Sequence, residues 1–352
     1  MKLVLTSEQR ELRDAVRSFL ASASPLPAVR QAMESESGYD PAVYRRLTGE
    51  LGLTGLIVPE EHGGTGAGYA ELAVVLEETG AALLPGPFLA TTLAAILLAE
   101  TGEKDLLAGI AAGTTTATVA LDGNRALCGA EVDVVLTIDG DDGDDGDDGD
   151  GGDGGDGGDG GGGGGGGGRV LARTGGGRRP LRTLDPTRRQ ALVEPGGEVV
   201  AVSAEGVARA RDLFAVAVAA EQLGVLRASL EAIVAYSKLR VAFNRLIGSY
   251  QGVKHKLADM HCTLEQAESI VRYAAWAADE APDELPGAAA LAQAYLGRAC
   301  YEVASGSLLL HGGIGFTWEH DAHLYLKRAK ADEVLLGPPR VHRARLAELL
   351  EL

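Results

Sequence analysis

Apolar residues recur at helical spacing through the first third of the chain. In YAELAVVLEETG, Leu72, Val75, Leu76 and Thr79 fall on one face, and Pro59, Gly63, Gly64 and Gly66 punctuate the loop before it. The opening MKLVLTSEQRELRDAVRSFL reads as an amphipathic helix capped by Thr6 or Ser7, because charges interrupt it throughout. FLATTLAAILLAETG is Ala- and Leu-rich with few charges, which predicts a helix buried on most sides. From about Thr115 the pattern shortens to β-type runs: TTATVALDG, EVDVVLTID, RVLART, RQALVEP and EVVAVSA. From Glu205 onward it is helical again. One segment runs for many turns without proline up to the YSKLR sequence, KHKLADMHCTLEQAESIVRYAAWAADEA forms a second helix that Pro282 and Pro286 end, AAALAQAYLGRACYEVASGSLLLH forms a third, and the last starts near Pro339. Long helices with short connections pack as an up-and-down bundle. The expected fold is mainly α with a small β domain: an N-terminal helical domain (1–114), a reduced β-barrel-like middle domain (115–204) and a C-terminal up-and-down four-helix bundle (205–352).

Segment 139–168 interrupts the β region with eleven aspartates, no basic residue and a final run of nine glycines. Glycine maximises the entropy lost on ordering and the aspartates repel one another, so a disordered loop is expected. Carboxylates in glycine-rich turns also suit calcium, but the apolar position that lets calcium-binding repeats stack into a β-roll is missing. The net charge of -18 becomes -7 without these eleven aspartates. That acidic balance, with no basic cluster, argues against nucleic acid. No run of about 18 apolar residues marks a membrane span. Cys128, Cys262 and Cys300 show no CxxC spacing, so neither a disulfide framework nor a zinc site is expected, and a reducing cytoplasmic setting fits.

Two segments carry the chemistry: YSKLRVAFNRLIGSYQGVKHKLADM (236–260) and LLLHGGIGFTWEHD (308–321). In this order and at this separation they resemble two signature helical segments of the acyl-CoA dehydrogenase family, flavoproteins that desaturate acyl-CoA thioesters. Segment 53–89, LTGLIVPEEHGGTGAGYAELAVVLEETGAALLPGPFL, is similar to the family's N-terminal domain, particularly in its actinobacterial members. The resemblance implies FAD as cofactor. Arg240 and Phe243 stand in the family's Arg-x-x-Phe-Gly segment, which reaches across a dimer interface to the flavin diphosphate of the neighbouring subunit, and Asn244 replaces its glycine. An arginine suits that task because its guanidinium fork stays charged and pairs with phosphate oxygens. Gln251 matches a family glutamine near the cofactor. His311, Gly312, Gly313 and Gly315 resemble the turn that lets backbone amides approach the adenosine side of the flavin, where a Cβ would obstruct. Leu309 stands where the family often has a glutamine.

Desaturation needs a base to take the α-proton while the β-hydrogen leaves as hydride to the flavin. The family places a glutamate at one of two positions. Here they read Leu336, before Gly337, and Phe214, so no catalytic residue is assigned. Asp212, Glu221, Glu319 and Glu333 lie nearby in sequence and read as surface or helix-capping charges. Neither Trp276 nor Trp318 falls in the β region, where the family's sheet covers the flavin ring. Together these features resemble the non-catalytic subunit of heteromeric acyl-CoA dehydrogenases. The implied partners are an acyl-CoA substrate and a paralogous subunit carrying the catalytic glutamate, in a hetero- or homo-oligomer. A stand-alone dehydrogenase with an unrecognised base and a structural pseudoenzyme without a flavin role are the alternatives.

Overall fold

The computed structural model describes residues 3–121, 124–139, 169–174 and 176–352. Six helices make the N-terminal part: α1 (Ser7–Ala23), α2 (Leu26–Glu34), α3 (Pro41–Gly49), α4 (Tyr69–Ala81), α5 (Phe88–Ala99) and α6 (Lys104–Ala111). Helix α1 starts at a reciprocal cap: Gln9 N donates to Thr6 Oγ1 at 3.2 Å and Thr6 N donates to Gln9 Oε1 at 3.0 Å. As its composition predicts, α5 is buried from Phe88 to Leu98. Helix α4 is buried from Leu72 to Gly80, and this stretch includes Glu77 and Glu78. Both carboxylates are paired. Arg17 grips Glu78 with two bonds of 2.9 and 2.8 Å, while Arg227 and Arg272 hold Glu77.

The middle part is a seven-stranded sheet: β1 (Ala117–Leu121), β2 (Arg125–Leu127), β3 (Val134–Asp139), β4 (Arg169–Thr174), β5 (Arg178–Leu181), β6 (Gln190–Val193) and β7 (Glu198–Ala201). Its order is β5-β6-β2-β1-β3-β4-β7, which puts β5 and β7 at the edges. Strands β1 and β3 pair in parallel, with Val119 opposite Leu136, and the other neighbours are antiparallel. Five of the seven strands coincide with β-type runs in the sequence; β2 and β5 do not. The aspartate-glycine segment, where a disordered loop is expected and calcium is the alternative, lies outside the described residues at positions 140–168.

The C-terminal part contains α7 (Ala204–Ser237), a hairpin of β8 (Val241–Ala242) and β9 (Arg245–Leu246), then α8 (Gln251–Glu280), α9 (Leu285–His311), α10 (Ala322–Val334) and α11 (Pro339–Leu349). Among the described residues α7 is the one helix long and apolar enough to cross a bilayer, but 89% of its most apolar window is buried, which marks a core helix. It crosses α4 at two glycines. A Cβ on Gly224 would overlap the Glu77 carbonyl, and one on Gly80 would overlap that of Glu221. The two backbones therefore touch directly where they cross.

A buried ionic network fastens the sheet to the bundle. Arg188, in the loop between β5 and β6, donates to Glu221 on α7 and to Asp332 on α10. Arg328, fully buried on α10, donates to Asp185 Oδ2 at 2.5 Å, to Thr187 Oγ1 at 2.7 Å and to Glu221 Oε1 at 3.3 Å. The expectation that Glu221, Asp212 and Glu333 are surface charges is therefore corrected: all three are buried, Asp212 against Arg345 and Glu333 against Lys330. Glu319 is exposed as expected. In the network, three carboxylates face two guanidinium groups. Burial, the largest influence, pushes the pKa of Asp332 up to about 7, with Glu221 and Asp185 adding to it against the opposing pull of Arg188 and Arg328.

Two outcomes follow from this packing. Gly224→Ala forces apart the α4–α7 crossing and lowers stability by about 1–3 kcal/mol, read as a shift in denaturant midpoint at unchanged slope. The second concerns pH. An unfolded aspartate titrates near about 3.9, so the raised native pKa of Asp332 gives stability that is complete below that value and is lost as pH rises through about 7. From pH 5 to pH 8 the native protein should lose stability relative to Asp332→Asn, which cannot titrate. Parallel pH profiles for the two proteins would contradict it.

Candidate functional site

Helix α7 ends at Ser237, and the chain turns back through the β8–β9 hairpin before α8 begins. Phe243 and Asn244 form the tip, at φ 52° and 62°. A two-residue hairpin turn of this kind needs left-handed backbone at both positions. Asn244 takes the place of a glycine because its short amide tolerates that conformation. For Phe243 the conformation costs about 1–2 kcal/mol, and the residue is 93% exposed. The hairpin is braced from behind. The Arg245 guanidinium lies 3.9 Å over the Tyr250 ring and donates to Ser249 Oγ and O at 2.8 and 2.9 Å, while the Tyr250 hydroxyl donates to Ala242 O at 2.9 Å. Arg240 is exposed and its guanidinium has no partner among the described residues. Gln251, also exposed, is the first residue of α8.

The second segment follows α9. Gly312 adopts φ 69° and ψ -150°, a conformation closed to L side chains, and a short 3-10 turn runs from Gly312 to Phe316. The three glycines have different roles. Gly312 and Gly313 are exposed, with open space where a Cβ would stand, whereas Gly315 is buried and its Cβ would lie 2.6 Å from Leu308 O. His311 points inward: its Nδ1 lies 2.8 Å from Ser307 O, and burial, more than the neighbouring His320, lowers its pKa. Its ring packs 4.6 Å from Tyr236 and 4.3 Å from His320. Tyr236, one turn before Arg240, therefore brings the two segments to the same end of the bundle. Sequence reasoning missed Tyr236, although its position on the last turn of α7 was a signal. Phe243, Leu309, Phe316 and Trp318 are all more than half exposed at this end.

These features fit an anionic group presented from outside the chain. Arg240 offers an unpaired guanidinium, and the open glycine turn leaves room for close backbone approach.

A second feature lies between the sheet and the bundle. Phe214 on α7 and Leu336 after α10, the two positions considered for a base, line one cavity of about 310 Å³. Ala120 and Ile138 from the sheet and His342 from α11 also line it. No carboxylate does so among the described residues. Asp212 is near but is held by Arg345, itself a lining residue. His342 is a residue that sequence reasoning did not single out. It is 9% exposed, and its Nε2 is buried without a hydrogen-bond partner.

Comparison with known proteins agrees with this architecture. The family profile "Acyl-CoA dehydrogenase, N-terminal domain" matches residues 6–113, and "Acyl-CoA dehydrogenase, C-terminal domain" matches residues 207–350. The chain is similar to acyl-CoA dehydrogenase IpdE2 of Mycolicibacterium smegmatis, with 38% identity covering 97% of this chain and 98% of the relative. Among solved structures, a variant of the Tcur3481-Tcur3483 steroid ACAD superposes with a TM-score of 0.83 at 25% identity, covering 98% of both chains. The ChsE4-ChsE5 complex from Mycobacterium tuberculosis shares the fold, with a TM-score of 0.81 at 23% identity over 100% of this chain and 99% of that one. The two profiles together span both helical parts, and the IpdE2 likeness runs through the sheet between them: this chain belongs to the acyl-CoA dehydrogenase family.

Proposed function

We propose that this chain is the subunit without a catalytic base in a heteromeric, FAD-dependent acyl-CoA dehydrogenase that desaturates acyl-CoA thioesters of fatty acid or steroid side-chain catabolism in the cytoplasm. The observation that carries the reading is the cavity lining. Phe214 and Leu336 occupy both base positions, and no carboxylate among the described residues lines the same space. A hydrocarbon side chain cannot accept the α-proton, so that step falls to a paralogous partner carrying the glutamate.

Bound FAD would supply the acceptor for the β-hydrogen, taken as hydride, as the acyl-CoA becomes the α,β-unsaturated thioester. The contribution of this chain is to hold the cofactor from across the interface. Arg240 neutralises diphosphate charge, Phe243 offers a packing surface on its braced hairpin, Gln251 supplies a polar contact, and the turn of Gly312, Gly313 and Gly315, backed by His311, receives the adenosine side. The exposure of Arg240, Phe243, Gln251, Gly312 and Gly313 at one end of the bundle suits a flavin presented by a neighbour, with the buried His311 and Gly315 behind them. Two structural neighbours bear paired names, the Tcur3481-Tcur3483 steroid ACAD and the ChsE4-ChsE5 complex, which supports a two-subunit assembly.

In the co-purified complex, Arg240→Ala should lower flavin occupancy at least tenfold by absorbance, with Arg240→Lys intermediate because a point charge cannot reproduce the guanidinium fork. Full flavin retention in Arg240→Ala would sink the interface role. The isolated chain, supplied with acyl-CoA and a dye acceptor, should show no turnover above background, and adding the partner should restore it. Robust turnover by the chain alone, abolished by neutralising one of its own acids, would overturn the assignment of the base to a partner.

A further inference from the structure

The stretch that leads from the glycine turn into α10 has little of its own to hold it. Thr317, Trp318 and Glu319 are exposed, and the local backbone bonds run from Thr317 N to Ile314 O at 3.0 Å and from His320 N to Thr317 O at 3.4 Å. A firmer hold comes from 290 positions away: Arg30 on α2 donates from Nε to Asp321 Oδ1 at 2.7 Å and from Nη2 to His320 O at 3.0 Å. We infer that Arg30 is a positioning residue for the cofactor-facing glycine turn, clamping residues 320 and 321 so that the His320 and His311 rings hold Gly315 and its neighbours in place. The inference rests on the reading that this turn receives the adenosine side of a flavin. It names a residue of the N-terminal part that sets the turn's geometry from behind.

Each link between Arg30 and the turn is a close contact. The His320 ring lies 4.3 Å from that of His311, and its Nδ1 accepts from Ala322 N at 3.1 Å, which fixes the imidazole at the start of α10. His311 is held by Ser307 O and by the Tyr236 ring, and its Cβ stands 3.1 Å from where one on Gly315 would be. Gly315 is therefore seated on His311, and His311 leans on His320. A displaced His320 leaves a gap beside His311, and packed side chains shift to recover the lost contacts.

A solitary exposed ion pair contributes little. Arg30 differs in its geometry, because two of its nitrogens engage a carboxylate and a backbone carbonyl on adjacent residues, which sets the direction of the chain there as well as its distance. Arg30 and Asp321 are 24% and 35% exposed, so water competes for the pair. Its main effect is accordingly on the local order of the turn, not on global stability.

Turn and cofactor can be read separately. Hydrogen exchange of the backbone amides of residues 312–324, followed in the isolated chain without flavin, should be about fivefold faster in Arg30→Ala, as expected when one partly exposed charged contact no longer opposes local opening. In the co-purified complex, stripped and titrated with FAD, the same variant should bind FAD about threefold to fivefold more weakly, with Arg30→Lys intermediate because an ammonium lacks the planar fork. Asp321→Asn should weaken FAD alike and add little to Arg30→Ala, since both remove one shared contact; this pair keeps the test open if Arg30→Ala does not fold. Val29→Ala, which removes buried hydrocarbon from the same helix, should lower stability and leave exchange at 312–324 and FAD affinity unchanged. Unchanged exchange in Arg30→Ala, or an equal loss of FAD affinity in Val29→Ala, overturns the positioning role. Flavin lost in Arg240→Ala but kept in Arg30→Ala sinks that role alone, whereas flavin kept in both sinks the interface reading with it.

Discussion

The contact on which the rest of this molecule depends is the buried cluster of Arg188, Arg328, Asp185, Glu221 and Asp332. It ties the loop between β5 and β6 to α7 and α10, apart from the β7–α7 connection that joins the sheet to the bundle. Ionic groups removed from water are costly unless each is paired and hydrogen-bonded, so such a cluster specifies geometry more than it adds stability. The pairing here is nearly complete. Arg328 uses Nε and both Nη atoms, and Arg188 bridges two helices at once. Burial eases the excess of carboxylates by raising the pKa of Asp332, which favours its neutral form. Because α10 carries two members of the cluster, the loop that follows it, including Leu336, is held at a fixed distance from α7 and Phe214.

That fixed distance separates two environments. On the inner side is a largely apolar cavity, lined also by Arg211, His342 and Arg345, with no carboxylate among its described lining residues and the sheet as one wall. At the far end of α7 is an outward-facing assembly of arginine, glycine turn and exposed aromatic rings. One end of the bundle thus presents exposed charge and aromatic rings, while the inner cavity is lined by Phe214 and Leu336. The α4–α7 glycine crossing keeps the N-terminal helices tight against the same long helix, so both environments share one rigid axis.

The long elements were legible in the sequence because their periodicity is local: α4, α5, α7, α8 and α9 each carry enough turns for the apolar stripe to declare itself. Strands β2 and β5 were not, since three or four residues do not establish a period and their pairing is set by distant neighbours. The outer candidate residues could be found by motif spacing, as Arg240 and the glycine turn stand at fixed offsets from helix ends. The acids could not be judged by type. Glu221 and Asp332 look like surface charges until cations arrive from 33 and 144 positions away. His342 has no motif at all, and its meaning arises only from the walls around it.

The braced hairpin has one further consequence. A phenyl ring at the tip of a two-residue turn, with its backbone already in a costly conformation and its stem locked by Arg245 and Tyr250, has surrendered its freedom before anything touches it. Ordering flexible loops is a major entropic tax on protein association, and preorganised contacts avoid it. Docking onto this peg would therefore resemble seating a key in a lock more than folding upon encounter.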